Sequence, residues 1–161
     1  MVIVLMGVSG AGKTTIGRML AAALGWEFRD ADDLHSPANK ARMAAGIPLT
    51  DADRAPWLAE IREFIAQHLA SRSNLILACS ALKQSYRDQL LVDRDAIKIV
   101  YLRGDRELIR SRLATRKSHF MNKDLLDSQF ETLEEPRDCL VVDVVAAPES
   151  IIQKIRAQLQ I

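Results

Sequence analysis

The sequence predicts an α/β fold of three layers, a five-stranded parallel sheet with helices on both faces, and three observations predict it. Short apolar runs alternate with amphipathic helical stretches from one end of the chain to the other. The first run, Val2–Met6, is almost wholly apolar, as a strand covered on both faces must be. It leads directly into the glycine-rich turn Gly7-Val8-Ser9-Gly10-Ala11-Gly12-Lys13-Thr14, where ligands gather at the carboxyl ends of parallel strands. Strands that alternate with helices imply right-handed crossovers.

Each element has its own signal. From Thr14 to Leu24 the apolar positions Ile16, Met19, Leu20, Ala23 and Leu24 recur at helical spacing, and Gly25 supplies the stop. Glu27–Asp30 reads as the second strand. Ser36-Pro37 places an N-cap before a proline in the first helical position, opening a helix that ends near Gly46. Pro56 is read in the same way as the start of a longer helix with the stripe Trp57, Leu58, Ile61, Ile65 and Leu69. Trp57 belongs to that stripe and is expected in the core. Leu75–Cys79 is the third strand, with Ser80 expected to cap the helix behind it. Ile97–Leu102 is the fourth, followed by a helix from about 105 to 115. A basic, aperiodic stretch precedes a helix over about 123–133, whose inward residues are Leu125, Leu126, Phe130 and Leu133. Leu140–Val144 closes the sheet, and Pro148 opens the last helix.

The 161 residues suit one domain, 1–161, with a core that needs no staples. Hydrophobic residues form 48% of the chain and charged residues 27%, while the net charge is only +1. No global field recruits nucleic acid or an anionic membrane, so attraction for an anion must be local. No apolar stretch approaches the roughly 20 residues of a membrane helix, and the apolar start lacks a basic leader region, so a cytoplasmic protein is expected. Cys79 and Cys139 lie in apolar runs without metal-ligand spacing and read as reduced core thiols.

The turn after the first strand matches G-x-x-x-x-G-K-[ST] in the strand-to-helix context that the motif requires. Gly7, Gly10 and Gly12 reach backbone angles closed to other residues, which turns successive amides toward phosphate. The following helix adds its positive end. Lys13 brings a cation to the β- and γ-phosphates, and the Thr14 hydroxyl suits Mg²⁺. The stretch Gly7, Val8, Ser9, Gly10, Ala11, Gly12, Lys13, Thr14 and Thr15 is therefore assigned to ATP. No N-K-x-D motif for reading guanine is present. The basic stretch near 112–119 suits an arginine lid at about 115–123, closing over the phosphates to exclude water.

Further blocks narrow the reading. They are Asp30-Ala31-Asp32-Asp33-Leu34-His35, Gly46-Ile47-Pro48-Leu49-Thr50-Asp51, Asp53-Arg54-x-Pro56-Trp57-Leu58, Cys79-Ser80-Ala81-Leu82-Lys83-x-x-Tyr86-Arg87-Asp88, His119-Phe120-Met121 and Leu125-Leu126-x-Ser128-Gln129-Phe130-x-x-Leu133-Glu134. Together they resemble the thermoresistant-type bacterial gluconokinases of the P-loop kinase fold, from Met1 to at least Pro136. Ala31 stands where relatives often carry glycine, and the tail after Pro136 has no diagnostic motif.

The resemblance implies a kinase that converts gluconate and ATP to 6-phosphogluconate and ADP, feeding carbohydrate-acid catabolism, and it implies a homodimer. By analogy with the F-x-D-x-D arrangement of related kinases (Phe28, Asp30, Asp32), Asp32 is the base that orients the sugar hydroxyl and Asp30 belongs with Thr14 at Mg²⁺. A polyol carboxylate needs a guanidinium fork, for which Arg54 and Arg87 are the candidates. His35, Lys83 and His119 are candidate contacts to hydroxyls or the carboxylate. Arg112 resembles the position that stacks on adenine, and Arg116 the catalytic lid arginine. A shikimate kinase would share Lys13, Thr14, Asp32 and a lid arginine. This chain, however, has Cys79-Ser80-Ala81-Leu82-Lys83 where those enzymes carry a Gly-Gly-Gly turn.

Overall fold

β1 (Val2–Met6) lies at the centre of a sheet ordered β2-β3-β1-β4-β5 in a computed structural model that describes residues 1–115 and 123–161. All strand pairs are parallel: β2 (Glu27–Asp30) on β3 (Leu75–Ala78), β3 and β4 (Ile97–Arg103) on either side of β1, and β5 (Leu140–Asp143) on β4. Val2 faces both Leu75 and Ile97, so the loop after Met6 emerges between the ends of two neighbouring strands. That is the crevice expected at a topological switch.

Alternation along β1 divides the interior into two cores. Ile3 and Leu5 point to one face, where they meet Ile16 and Leu20 of α1 (Lys13–Leu24) and Ile151 and Ile155 of α7 (Pro148–Leu159). Val2, Val4 and Met6 point to the other, against Trp57, Leu58, Ile61 and Ile65 of α3 (Asp51–Ala70). All five β1 side chains are fully buried. Truncating one, as in Leu5→Ala, costs about 2–5 kcal/mol by lost transfer energy and the cavity left behind.

The helix signals hold with two corrections. Ser36 caps α2 (Pro37–Ala44) by accepting from the Asn39 amide at 3.2 Å, and Gly25 ends α1 at φ +67°. α3, however, begins at Asp51 rather than at Pro56. Thr50 and Asp53 form a capping box: Thr50 Oγ1 accepts from the Asp53 amide at 3.2 Å and Asp53 Oδ2 from the Thr50 amide at 2.8 Å. Two end amides are satisfied there, while Pro56 removes a single donor from the second turn. The second correction concerns Ser80, which does not cap α4 (Gln84–Leu90). Its carbonyl accepts from the Gly7 amide at 3.3 Å, and the Gln84 amide is instead met by the Glu134 carboxylate at 2.6 Å.

α5 (Arg106–Thr115) follows β4, with Asp105 accepting from the Leu108 amide at 2.7 Å, and α6 (Lys123–Thr132) precedes β5. Asp127 of α6 receives Arg106 and Arg110 of α5 at 3.3 and 2.7 Å. The expected lid over about 115–123, with Arg116 and His119, falls almost wholly outside the described residues. Among the described residues no helix is long and apolar enough to cross a membrane. Cys79 and Cys139 are free thiols, the first buried and the second half-buried.

Candidate active site

The turn between β1 and α1 is shaped by its glycines. Gly7, Gly10 and Gly12 stand at φ +144°, +86° and +94°. A Cβ on Gly7 would lie 2.7 Å from the Leu102 carbonyl oxygen, and one on Gly10 would lie 2.9 Å from Leu113 Cγ. Val8 and Ala11 sink their side chains into the core and leave the backbone to face the cleft. Lys13, the first residue of α1, folds over the loop and donates from Nζ to the Gly7 and Val8 carbonyls at 2.9 and 3.1 Å. Thr15 lies exposed on the first turn of α1. The Ser9 amide donates across the cleft to Gln129 Oε1 of α6 at 2.7 Å.

β2 delivers its carboxylates to the same place. Thr14 Oγ1 donates to Asp30 Oδ2 at 2.7 Å, and Asp30 Oδ1 accepts from the Asp32 amide at 3.2 Å. The second bond caps the 3-10 turn Ala31–Leu34 and fixes Asp32 beside the loop. Asp32 keeps an exposed edge, yet surrounding protein strips part of its hydration and raises its pKa above the ordinary carboxylate value. Lys13 opposes that rise, while Asp30 and Asp33 add to it. The Cys79 thiol beneath them is pushed up to about 12, first by burial and then by the Asp32 charge, so it remains protonated.

Thr14 and Asp30 are hard oxygen donors already held together, and they fit Mg²⁺, which favours one or two protein oxygens alongside substrate phosphates. Among the described residues no cluster of three or more His, Cys, Asp or Glu could hold a metal through protein ligands alone.

The other wall of the cleft is built from side chains of α3 and α4. Arg54 donates from Nη1 to the Leu49 carbonyl at 2.6 Å and to Tyr86 Oη at 3.4 Å, with its guanidinium 5.8 Å from the Tyr86 ring centroid. Lys83 Nζ reaches both Asp51 oxygens at 2.8 Å, and the Tyr86 hydroxyl donates to Asp51 as well. Ammonium and phenol thus meet on one exposed carboxylate, with the guanidinium on the far side of the phenol. His35 is buried and stacks on Trp57 with ring centroids 4.2 Å apart, while Trp57 Nε1 donates to the Ala31 carbonyl at 2.7 Å. Burial, then repulsion by Arg54 and Lys40, lowers His35 to about 4 and keeps it neutral.

Arg87 is not brought into the cleft. Its side chain is 1% exposed, and Nη1 donates to the Ala81 and Leu82 carbonyls at 2.9 and 3.0 Å while Nη2 reaches Gln84 Oε1 at 2.8 Å. Ala81 sits at φ +44°, a left-handed conformation that costs a non-glycine residue about 1–2 kcal/mol. Arg87 holds that strained loop from below, so its expected place as a carboxylate fork gives way to a structural one. Arg112 donates to the Val144 carbonyl and ties the end of α5 to the end of β5. Arg116 and His119 lie outside the described residues.

Comparison with known proteins agrees with this architecture. The family model described as shikimate kinase matches residues 9–159, which places the chain among the kinases of that fold. The probable gluconokinase of Mus musculus is 44% identical over 169 residues, spanning 94% of this chain and 87% of that one. The gluconokinase of Gluconobacter oxydans is 48% identical over 136 residues, spanning 84% and 76%. The crystal structure of a gluconokinase from Sinorhizobium meliloti superposes with a TM-score of 0.89 at 44% identity, covering 98% of this chain and 90% of that one. The chain belongs to the gluconokinase family.

Within this gluconokinase fold, Lys13, Thr14, Asp30 and Asp32 gather around the loop, with Arg54, Lys83 and His35 on the facing wall. Asp51, Tyr86, Gln129 and Glu134 also serve the cleft, and their sequence context alone assigns them no role. Each lies inside a family block; what marks it out is a contact that forms only on folding.

Proposed function

We propose that this gluconokinase transfers the γ-phosphoryl group of ATP to the terminal hydroxyl of gluconate, giving 6-phosphogluconate and ADP. The observation that carries the reading is one chain of hydrogen bonds, Thr14 to Asp30 to the Asp32 amide, which joins the phosphate loop to the general base. In the transfer, the acceptor oxygen forms a bond to the γ-phosphorus as the bond from that phosphorus to the β–γ bridging oxygen breaks. The hydroxyl proton passes to Asp32, and ADP leaves with the bridging oxygen. A base with a raised pKa accepts that proton more readily, at the cost of ionising later on the pH scale.

Lys13 follows the migrating charge, moving from the Gly7 and Val8 carbonyls to the phosphates once ATP fills the loop. Thr14 and Asp30 would hold Mg²⁺, which would supply positive charge to neutralise the β- and γ-phosphates. Arg54 and Lys83 receive the gluconate carboxylate, and neutral His35, pinned on Trp57, contacts a hydroxyl. Arg116 and His119, outside the described residues, are assigned to the phosphates and the acceptor, and Arg112 to adenine, by their resemblance to the family positions. The protein acts in the cytoplasm as a homodimer of 18.0 kDa chains, which sedimentation equilibrium at micromolar concentration tests; a monomer mass overturns it.

An ADP-release assay across gluconate, shikimate and AMP tests the function, with product identified by mass. ADP release that depends on gluconate and yields 6-phosphogluconate is expected. Turnover with shikimate or AMP but not gluconate would overturn the acceptor assignment.

A further inference from the structure

α6 and the residues that follow it touch both walls of the cleft. At one end, Gln129 Oε1 accepts from the Ser9 amide of the phosphate loop at 2.7 Å. At the other, Glu134 donates its amide to the Leu82 carbonyl at 2.9 Å and accepts from the Gln84 amide at 2.6 Å. Those contacts bracket Lys83 on the acceptor side. They join residues 120 and 50 positions apart in sequence, so neither arises from local geometry. An N–H donor can be met only by the carboxamide oxygen, which fixes the orientation of the Gln129 side chain.

The connection between these ends is stiff. Leu126 is buried, and Leu133, between Gln129 and Glu134, packs against both cores. Asp127 is held by Arg106 and Arg110 of α5. The loop held by Glu134 is also gripped by Arg87, through the Ala81 and Leu82 carbonyls and Gln84. A displacement of the phosphate loop is therefore passed to the acceptor loop through one packed segment.

We propose that Gln129 and Glu134 are positioning residues for phosphoryl transfer, the two ends of a strut that sets the donor loop against the acceptor loop. Neither touches the reacting atoms. The proposal rests on the reading of these walls as the ATP and gluconate sides. Its chemical basis is that in-line transfer tolerates little error, a misplacement of about 1 Å costing on the order of 10²-fold in rate.

The test is a double-mutant cycle on turnover. Gln129→Ala and Glu134→Ala are each expected to lower kcat about 10- to 100-fold with both KM values within about 3-fold, because alignment is lost and binding is kept. The double variant should be no worse than the poorer single, since a strut cut at one end transmits nothing. Glu134→Gln, which keeps an acceptor for the Gln84 amide, should recover most of kcat. Losses that multiply, losses confined to KM, or an unchanged kcat would each overturn the strut. Glu134 is exposed and Gln129 half-buried, so the variants are expected to fold.

Amide hydrogen exchange separates this proposal from the choice of acceptor. Adding Mg·AMPPNP alone should slow exchange at residues 82–84 in the wild-type protein and leave it unchanged in Gln129→Ala. A wild-type protein that shows this response but ignores gluconate loses its acceptor assignment and keeps the strut. A wild-type protein without the response loses the strut.

Discussion

The two walls of the cleft are made of different material. On the donor wall, eight consecutive residues bend around three positive-φ glycines, with Val8 and Ala11 rooted in the core and the backbone facing the ligand. On the acceptor wall, His35, Asp51, Arg54, Lys83 and Tyr86 come from two helices and two loops and are joined through side chains. A backbone site recognises what every nucleoside triphosphate carries. A side-chain site can be re-specified residue by residue, which suits a fold that the shikimate kinase model also describes across residues 9–159.

That contrast can be broken most severely at the donor wall. Lys13→Met removes the ammonium that folds over the loop onto the Gly7 and Val8 carbonyls, so kcat should fall by about 10³-fold with the fold intact. Steady-state turnover together with a thermal melt checks this, and near-normal turnover would take Lys13 out of the phosphate clamp. Asp32→Asn comes next. It should lower kcat by about 10²-fold and leave the gluconate KM nearly unchanged, because a base acts in the transition state. The raised pKa gives the sign of the pH effect. Wild-type turnover should decline on acidification while the pH is still above the ordinary carboxylate value, as Asp32 takes up its proton. Asp32→Asn should lack that acid limb; a limb that persists assigns it to another group.

The same contrast explains what could be read before folding. The parallel sheet and its strands follow from buried apolar runs alternating with helices, while their order does not, and the phosphate loop is written in contiguous residues whose backbone needs are local. α3 starts ahead of the position Pro56 suggests because the proline carries a strong local signal, whereas the capping box of Thr50 and Asp53 spreads over four residues. Arg87 sits within an acceptor block and reads as a ligand for a carboxylate. Only the folded chain shows its guanidinium spent on Ala81, Leu82 and Gln84. Ser80 loses its capping role to Glu134 for the same reason, since a partner 50 residues from Gln84 leaves no trace in local pattern. Asp51 was invisible as the hub joining Lys83 and Tyr86, because charge pairing across two helices has no sequence period.

At the acceptor wall the expected effects are smaller and more selective. Arg54→Ala removes a guanidinium that the Leu49 carbonyl and Tyr86 hydroxyl hold in place. Losing one charge-assisted contact of about 1.5–3 kcal/mol should raise the gluconate KM roughly 10- to 100-fold. ATP affinity should stay within about 3-fold, because the donor wall is backbone. Titration with both substrates measures the split, and a fall in ATP affinity would show that the walls do not divide the labour this way.

The smallest effect concerns stability, and it sharpens the comparison because it arises from a buried histidine of the acceptor wall. His35 is pinned on Trp57 and kept neutral by burial and by Arg54 and Lys40, with its pKa lowered to about 4 from the model-peptide value of 6.5. Between those values the unfolded chain binds a proton that the folded chain refuses, so stability is complete above pH 6.5 and declines as pH falls toward 4. The expected loss across that window is on the order of 1–3 kcal/mol. Carboxylates do not mimic it: Asp51, Asp53 and Asp143 have lowered values and yield their contributions only below the ordinary 3.8, while Asp32, with its raised value, gains stability on acidification and so opposes the loss. His35→Phe keeps an aromatic face for Trp57 and deletes the titration. The urea midpoint should therefore be lower at pH 5 than at pH 7 for the wild-type protein and not for the variant, and equal falls in both would assign the acid sensitivity elsewhere.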